Sequence, residues 1–257
     1  MRCHDQLGRE VTLVSPPKRI ISLVPSQTEL LVDLGLNDRL VGITKFCIYP
    51  DHTYRSKQRI GGTKTPDINL IHSLKPDLCI ANKEENRKED IDAIQPFCPV
   101  WVSDVNNRED ALDMIRRLGI LLDCTNHAEK LISEIEGAFA SIKPIDPSIS
   151  VLYFIWKEPT YIAGKGTFID SMLKTIGLKN ATNQVRYPEF TDVDSPPEVI
   201  LLSSEPYPFS EKHIQEFQAL FPNSKVMLVD GEMFSWFGSR MLKAPHYFNE
   251  LLALLKG

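Results

Sequence analysis

Short apolar runs alternate with amphipathic stretches along most of the chain. "RIISLV" (19–24), "RLVGIT" (39–44), "DLCIAN" (77–82) and "PVWVSD" (99–104) are nearly continuous apolar segments, the pattern of strands buried on both faces. Between them, "SQTELLVDLGL" (26–36), "INLIHSL" (68–74) and the stretch from Arg108 to Leu122 carry helical spacing. Ser26 and Glu29 stand at capping-box distance, and Gly35 stands where a helix C′ glycine belongs. A second series begins after residue 148. "SVLYFIW" (150–156), "EVILLSS" (198–204) and "KVMLVD" (225–230) read as strands. "GTFIDSMLKTIGL" (166–178), "HIQEFQALF" (213–221) and 244–256 read as helices.

"TNHAEKLISEIEGAFASIKP" (125–144) joins the two series. Ala128, Leu131, Ile132, Ile135, Ala138, Phe139 and Ile142 recur at helical spacing, Thr125 or Asn126 is placed to cap, and Pro144 is the stop. A helix of about 18 residues, roughly 27 Å, is expected. The two series also match each other in order. "SQTELLVDLGL" parallels "GTFIDSMLKTIGL", "SLKPDLCIAN" parallels "SPPEVILLSS", and "PVWVSD" parallels "KVMLVD". This reads as an internal repeat of about 110 residues, too long for a solenoid unit and suited to duplicated lobes. The expected fold is α/β: two Rossmann-like lobes with parallel-type sheets, 1–122 and 145–257, joined by a backbone helix within 123–144. Open parallel sheets bind ligands beyond the carboxyl ends of their strands, so a ligand cleft between the lobes is expected.

Composition narrows the chemistry. With 42% hydrophobic and 25% charged residues the chain is an ordinary globular sequence, and its net charge of −5 speaks against nucleic acid as partner. No apolar run is long enough to span a bilayer. "MRCHDQLGREVTLV" contains no apolar leader core, so the expected location is cytoplasmic, or periplasmic or cell-surface where a leader is removed. Five cysteines, an odd number without metal-knuckle spacing, read as buried free thiols. "AGKGT" (163–167) has glycine after Lys165 and lacks the upstream glycine of a P-loop, so Thr167 reads as a helix cap. Neither G-x-S-x-G nor H-E-x-x-H occurs, and the histidines are dispersed, so no catalytic set and no metal site is expected. What remains is a set of aromatics after strands: Phe46 and Tyr49; Trp156 and Tyr161; Tyr187; and Phe234, Trp236 and Phe237. With Lys64, Glu232, Ser235 and Arg240 they suit a large ring-bearing ligand.

"DQLGREVTLVSPPKRIISLVPSQTELLVDLGLNDRLVGIT", "LKPDLCIAN", the 125–144 segment, "YIAGKGTFIDSMLKTIGL" and "SRM" together resemble the helical-backbone (class III) substrate-binding proteins of ABC importers, in the vitamin B12 and ferric-siderophore branch. The resemblance implies a non-enzymatic, monomeric binding protein for a corrinoid or ferric siderophore-like metal complex, with an ABC permease as partner and no cofactor of its own. It implies cleft positions at Phe46, with Tyr49 nearby, at Thr63 or Lys64, at Asn82, at Trp156 or a neighbour, at Tyr187, and in a loop from Glu232 through Phe234 to Trp236. The family's acidic permease-docking positions fall on Asn69, with Asp67 the nearest acid, and on the short 187–198 segment, where Asp192 and Asp194 are the acids. An intracellular carrier or sensor of the same ligand class is the alternative. So is a tetrapyrrole metal chelatase-like enzyme, which would require His52, His72 or His246 to meet a carboxylate in the cleft.

Overall fold

The computed structural model describes residues 2–191 and 196–256. They form two units. The first comprises Met1–Val105, Glu109–Ile135 and Phe237–Arg240; the second comprises Asn106–Arg108, Glu136–Trp236 and Met241–Gly257.

In the first unit a hairpin, β1 (Arg2–His4) and β2 (Glu10–Thr12), precedes β3 (Ile20–Ser22), α1 (Pro25–Asp33), β4 (Leu40–Ile43), α2 (Asp51–Ser56) and β5 (Gln58–Arg59). A small hairpin, β6 (Gly61–Gly62) and β7 (Thr65–Pro66), leads to α3 (Ile68–Ser73), β8 (Leu78–Asn82), α4 (Lys88–Ile94) and β9 (Val100–Ser103). The sheet runs β5-β4-β3-β8-β9 with every pairing parallel. Its strand order reverses at β3, which is where such a sheet opens a crevice at its carboxyl edge. All five residues of β8 are buried, as an apolar run covered on both faces requires. Ile21, Leu23, Ile71, Cys79, Ile94 and Val100 pack in one core cluster.

α5 (Arg108–Leu121) and α6 (Thr125–Ala140) follow. α6 has the expected apolar stripe, with Ala128, Leu131, Ile132, Ile135 and Phe139 buried. It is 16 residues, shorter than expected, because Ser141 N–H and Ile142 N–H bond back to Ala138 O and Phe139 O, tightening the last turn well before Pro144.

The second unit contains β10 (Ile149–Trp156), β11 (Tyr161–Ile162), α7 (Phe168–Thr175), β12 (Leu178–Asn180), β13 (Val199–Ser203), α8 (Glu211–Leu220), β14 (Lys225–Val229), α9 (Gly231–Ser235) and α10 (Ala244–Lys256). β10, β13 and β14 are parallel neighbours in the same succession as β3, β8 and β9, which is the order the paired sequence segments call for. β12 pairs parallel with the start of β10, and the short β11 pairs antiparallel with its end. Thr167 caps α7 by accepting from Asp170 N–H at 3.1 Å, as the turn reading of "AGKGT" expects.

The capping-box reading of Ser26 and Glu29 is corrected. α1 starts one residue earlier, with Pro25 at its first position and Val24 as N-cap without a side-chain bond. Ser26 and Glu29 are buried within the helix, and Glu29 pairs with Arg240 instead.

Candidate ligand-binding site

The loop after β4 is pinned from below. The Cys47 sulfur lies 3.1 Å from both Thr28 Oγ1 and Thr44 Oγ1, and the Phe46 N–H donates to Thr44 Oγ1 at 3.3 Å. With Cys47 turned inward, its neighbours are turned out: Phe46 is 52% exposed, Ile48 46% and Tyr49 39%. The Lys45 ammonium sits 5.1 Å from the Phe46 ring centroid. Gly62 lets β6 approach that ring, since a Cβ there would stand 3.3 Å from Phe46 Cε2 and 2.9 Å from Thr65 Oγ1. Gly61 has φ +96, and a Cβ there would meet Thr65 O at 2.5 Å, so the turn presenting Thr63 and Lys64 needs glycine.

The turn after β8 closes the same edge. Lys64 Nζ donates to Glu84 O at 2.7 Å, and Asn86 Nδ2 donates to Thr63 O at 2.9 Å and to Leu23 O at 3.2 Å. Desolvation pushes the Glu85 carboxyl above its ordinary value, against the pull of the Lys64 ammonium. The Glu85 side chain is also exposed on one side. Asn82, expected as a ligand contact, serves the structure instead. Its Nδ2 donates to Ser103 Oγ at 2.9 Å, and its Oδ1 accepts from Glu84 N–H at 2.9 Å and Glu85 N–H at 3.2 Å. It is 2% exposed and shapes the turn from beneath.

Tyr49 has a support that sequence spacing does not reveal. The Arg240 guanidinium lies 4.7 Å from its ring centroid and makes a two-pronged pair with Glu29, Nε to Oε2 and Nη2 to Oε1, each 2.8 Å. Both partners of the pair are buried. The expectation that Arg240 offers its charge to a ligand is corrected, because its guanidinium is committed to Glu29.

In the second unit, Trp156 ends β10 and is 39% exposed, with Nε1 donating to Glu158 O at 3.2 Å and its ring edge-on to Tyr207 at 5.7 Å. Tyr187 is half-buried with the Arg186 guanidinium 5.9 Å from its centroid. Arg186 is held by Gly166 O at 2.6 Å and Asn106 Oδ1 at 2.7 Å. The expected Glu232–Trp236 loop is instead the helix α9, capped by Asp230 accepting from Glu232 N–H at 3.0 Å. Glu232 is half-buried. Ser235 Oγ donates to Glu205 Oε1 at 2.7 Å. Phe234 is fully buried, packed on Tyr153 at 5.1 Å and Phe248 at 4.8 Å, so it belongs to the core and offers no surface to a ligand. Trp236 is the C-cap of α9 and is 9% exposed.

Phe46, Tyr49 and Lys64 are therefore gathered on the carboxyl edge of the first sheet, and Trp156, Tyr187 and Glu232 follow strands of the second. Ile48, Lys45 and Glu85 join the first set and Tyr207 the second, unforeseen; the apolar Ile48 two residues after Phe46 was the available signal. His72 lies edge-on to Phe97 at 4.7 Å, and His246 meets Glu250 at 3.4 Å on the exposed face of α10. Among the described residues no group of three or more His, Cys, Asp or Glu could hold a metal ion. Asp67 accepts from Leu70 N–H at 3.0 Å as the N-cap of α3, and Asn69 is exposed beside it; Asp192 and Asp194 lie outside the described residues.

A duplicated α/β plan with aromatic residues on the carboxyl edges of its sheets is the plan of a solute-binding protein. The chain belongs to the periplasmic binding protein family, which it matches over residues 20–203. An ABC transporter substrate-binding lipoprotein of Bacillus subtilis is 29% identical over 73% of this chain, and the match spans 63% of that protein's length. A vitamin B12-binding protein of Pectobacterium carotovorum is 22% identical, covering 94% of this chain and 91% of its own. Among solved structures, a periplasmic heme-binding protein of Vibrio cholerae superposes with a TM-score of 0.76 at 18% identity, over 91% of this chain and 98% of that one. No helix of the described residues is long and apolar enough to cross a membrane.

Proposed function

We propose that the protein is the substrate-binding component of an ABC importer, acting outside the cytoplasmic membrane. Its cargo is a large metal complex with its coordination sphere already filled, of the corrinoid or ferric siderophore kind. The observation that carries this reading is the exposure of Phe46, Ile48 and Tyr49 together on one sheet's carboxyl edge, with Trp156 exposed at the end of β10. The grouping of Phe46, Ile48 and Tyr49 marks a binding surface on the first unit. A complete metal complex asks for flat apolar faces and a few charges. Aromatic rings supply the faces, and Lys45, Lys64, Glu85 and Glu232 supply the charges. Binding and release need no covalent step, which agrees with relatives named as binding proteins. A permease partner follows from the importer role, with the exposed N-terminal end of α3 around Asp67 and Asn69 as the docking candidate in the first unit.

Phe46→Ala and Trp156→Ala test the reading. Each ring contributes its burial plus about 0.5–1.5 kcal/mol of stacking, so each variant should weaken cargo binding about tenfold or more. Unchanged affinity in both variants would remove these edges from the binding site.

A further inference from the structure

The five thiols are not equivalent. Cys79 on β8 and Cys98 just before β9 are 0% and 1% exposed, with sulfurs 3.6 Å apart. The backbone around them is fixed, because Cys79 N–H donates to Pro99 O at 2.9 Å and Cys98 N–H to Ile94 O at 3.1 Å. The other three have different neighbours. Cys47 contacts two threonine hydroxyls, Cys3 lies 3.6 Å from Val11 O, and Cys124 is buried where α6 begins.

We propose that Cys79 and Cys98 are a disulfide site, oxidised when the chain folds in the presence of a disulfide donor. Each thiol loses a proton, the two sulfurs join, and the two electrons released reduce the donor's disulfide to two thiols. The donor is the disulfide form of a thiol–disulfide oxidoreductase in the cell or glutathione disulfide in the test tube. The sulfurs must close from 3.6 Å to about 2.05 Å, and they stand on neighbouring segments joined by the Cys79 N–H to Pro99 O bond. The bond would close a loop that carries α4 and staple the start of β8 to the approach of β9. The hydrogen bond to Cys98, and then burial, push the Cys79 thiol well above its ordinary value, so Cys79 is a poor nucleophile once folded, and both sulfurs are shut away from an external disulfide. Oxidation therefore belongs to folding, before the core closes.

The test is refolding of the full chain in a glutathione redox buffer, followed by thiol titration in denaturant and peptide mapping. Three of the five thiols should remain titratable, and one cross-linked peptide should join Cys79 to Cys98. Cys98→Ser, refolded alongside, should keep its four thiols free. Five free thiols in the parent chain, a bond that uses Cys3, Cys47 or Cys124, or loss of two thiols in Cys98→Ser would overturn the proposal. Because the oxidant is supplied, the result does not depend on the cargo or the compartment.

Discussion

Arg240→Ala should be among the most damaging single substitutions in the first unit. Its side chain and that of Glu29 are 7% and 9% exposed, and both prongs of their pair measure 2.8 Å. Removing the guanidinium strands a carboxylate inside α1, and uncoupling a buried pair in this way costs about 3–5 kcal/mol. Loss of the cation from the Tyr49 ring adds about 0.5–2 kcal/mol. The surface pair Lys88–Asp92, with side chains 83% and 49% exposed, is the internal control: Lys88→Ala should leave stability nearly unchanged. Urea denaturation of Arg240→Ala, Glu29→Ala and the double variant yields the coupling directly. The double variant should be much less destabilised than the sum of the singles, because no charge is left stranded. The segment Phe237–Arg240 belongs to the first unit while its flanking residues belong to the second, and this pair bonds that segment to α1. If Arg240→Ala proves no worse than Lys88→Ala, or if the coupling falls below about 0.5 kcal/mol, the pair is not a structural anchor and the reasoning fails.

Thr167→Ala removes the hydroxyl that accepts from Asp170 N–H, and should lower stability by about 1 kcal/mol in the same assay. Gly61→Ala forces a side chain onto a φ of +96 and against Thr65 O; destabilisation of about 1–3 kcal/mol is expected, together with weaker cargo binding through the displaced Lys64 turn. Glu85→Gln addresses pH. A carboxyl whose folded pKa is raised contributes its stability in full below its ordinary value of 4.5 and loses it as pH rises through the folded pKa. The Gln variant lacks this loss, so its Tm should gain on the parent between pH 4.5 and neutrality; parallel pH profiles would contradict the raised pKa.

The central strands of both sheets were legible because fully buried parallel strands must be apolar throughout, and "DLCIAN" and "EVILLSS" are of that kind; β5, β11 and β12 were not, being two or three residues long, too short to carry a period. The duplicated order β3-β8-β9 and β10-β13-β14 was legible for the same reason. Thr167 and Glu29 show where local reading holds and where it stops. Both stand at capping distance, yet only Thr167 caps, because Pro25 takes the first position of α1 and the partner of Glu29 lies 211 residues away. Phe234 misleads because α9 has five residues, too few to display a helical period, and its ring turns inward onto Tyr153 and Phe248. Asn82 misleads in the opposite sense. It stands at the end of a strand where ligand contacts occur, but two backbone N–H groups of the next turn use its oxygen. The aromatics of "TKFCIYP" point to a site through their position after a strand, and their exposure depends on Cys47 binding inward to two threonines.

Capture of a preassembled metal complex on exposed aromatics is tested most directly by equilibrium titration of the purified full chain. The ligands are cyanocobalamin, a panel of ferric siderophores, and haemin, read by calorimetry and by tryptophan fluorescence. Saturable one-to-one binding of a corrinoid or a ferric siderophore is predicted, with quenching that diminishes in Trp156→Phe. Binding of haemin alone would move the cargo to a complex that needs an axial donor from the protein. A folded protein that binds no member of the panel would contradict the proposed function.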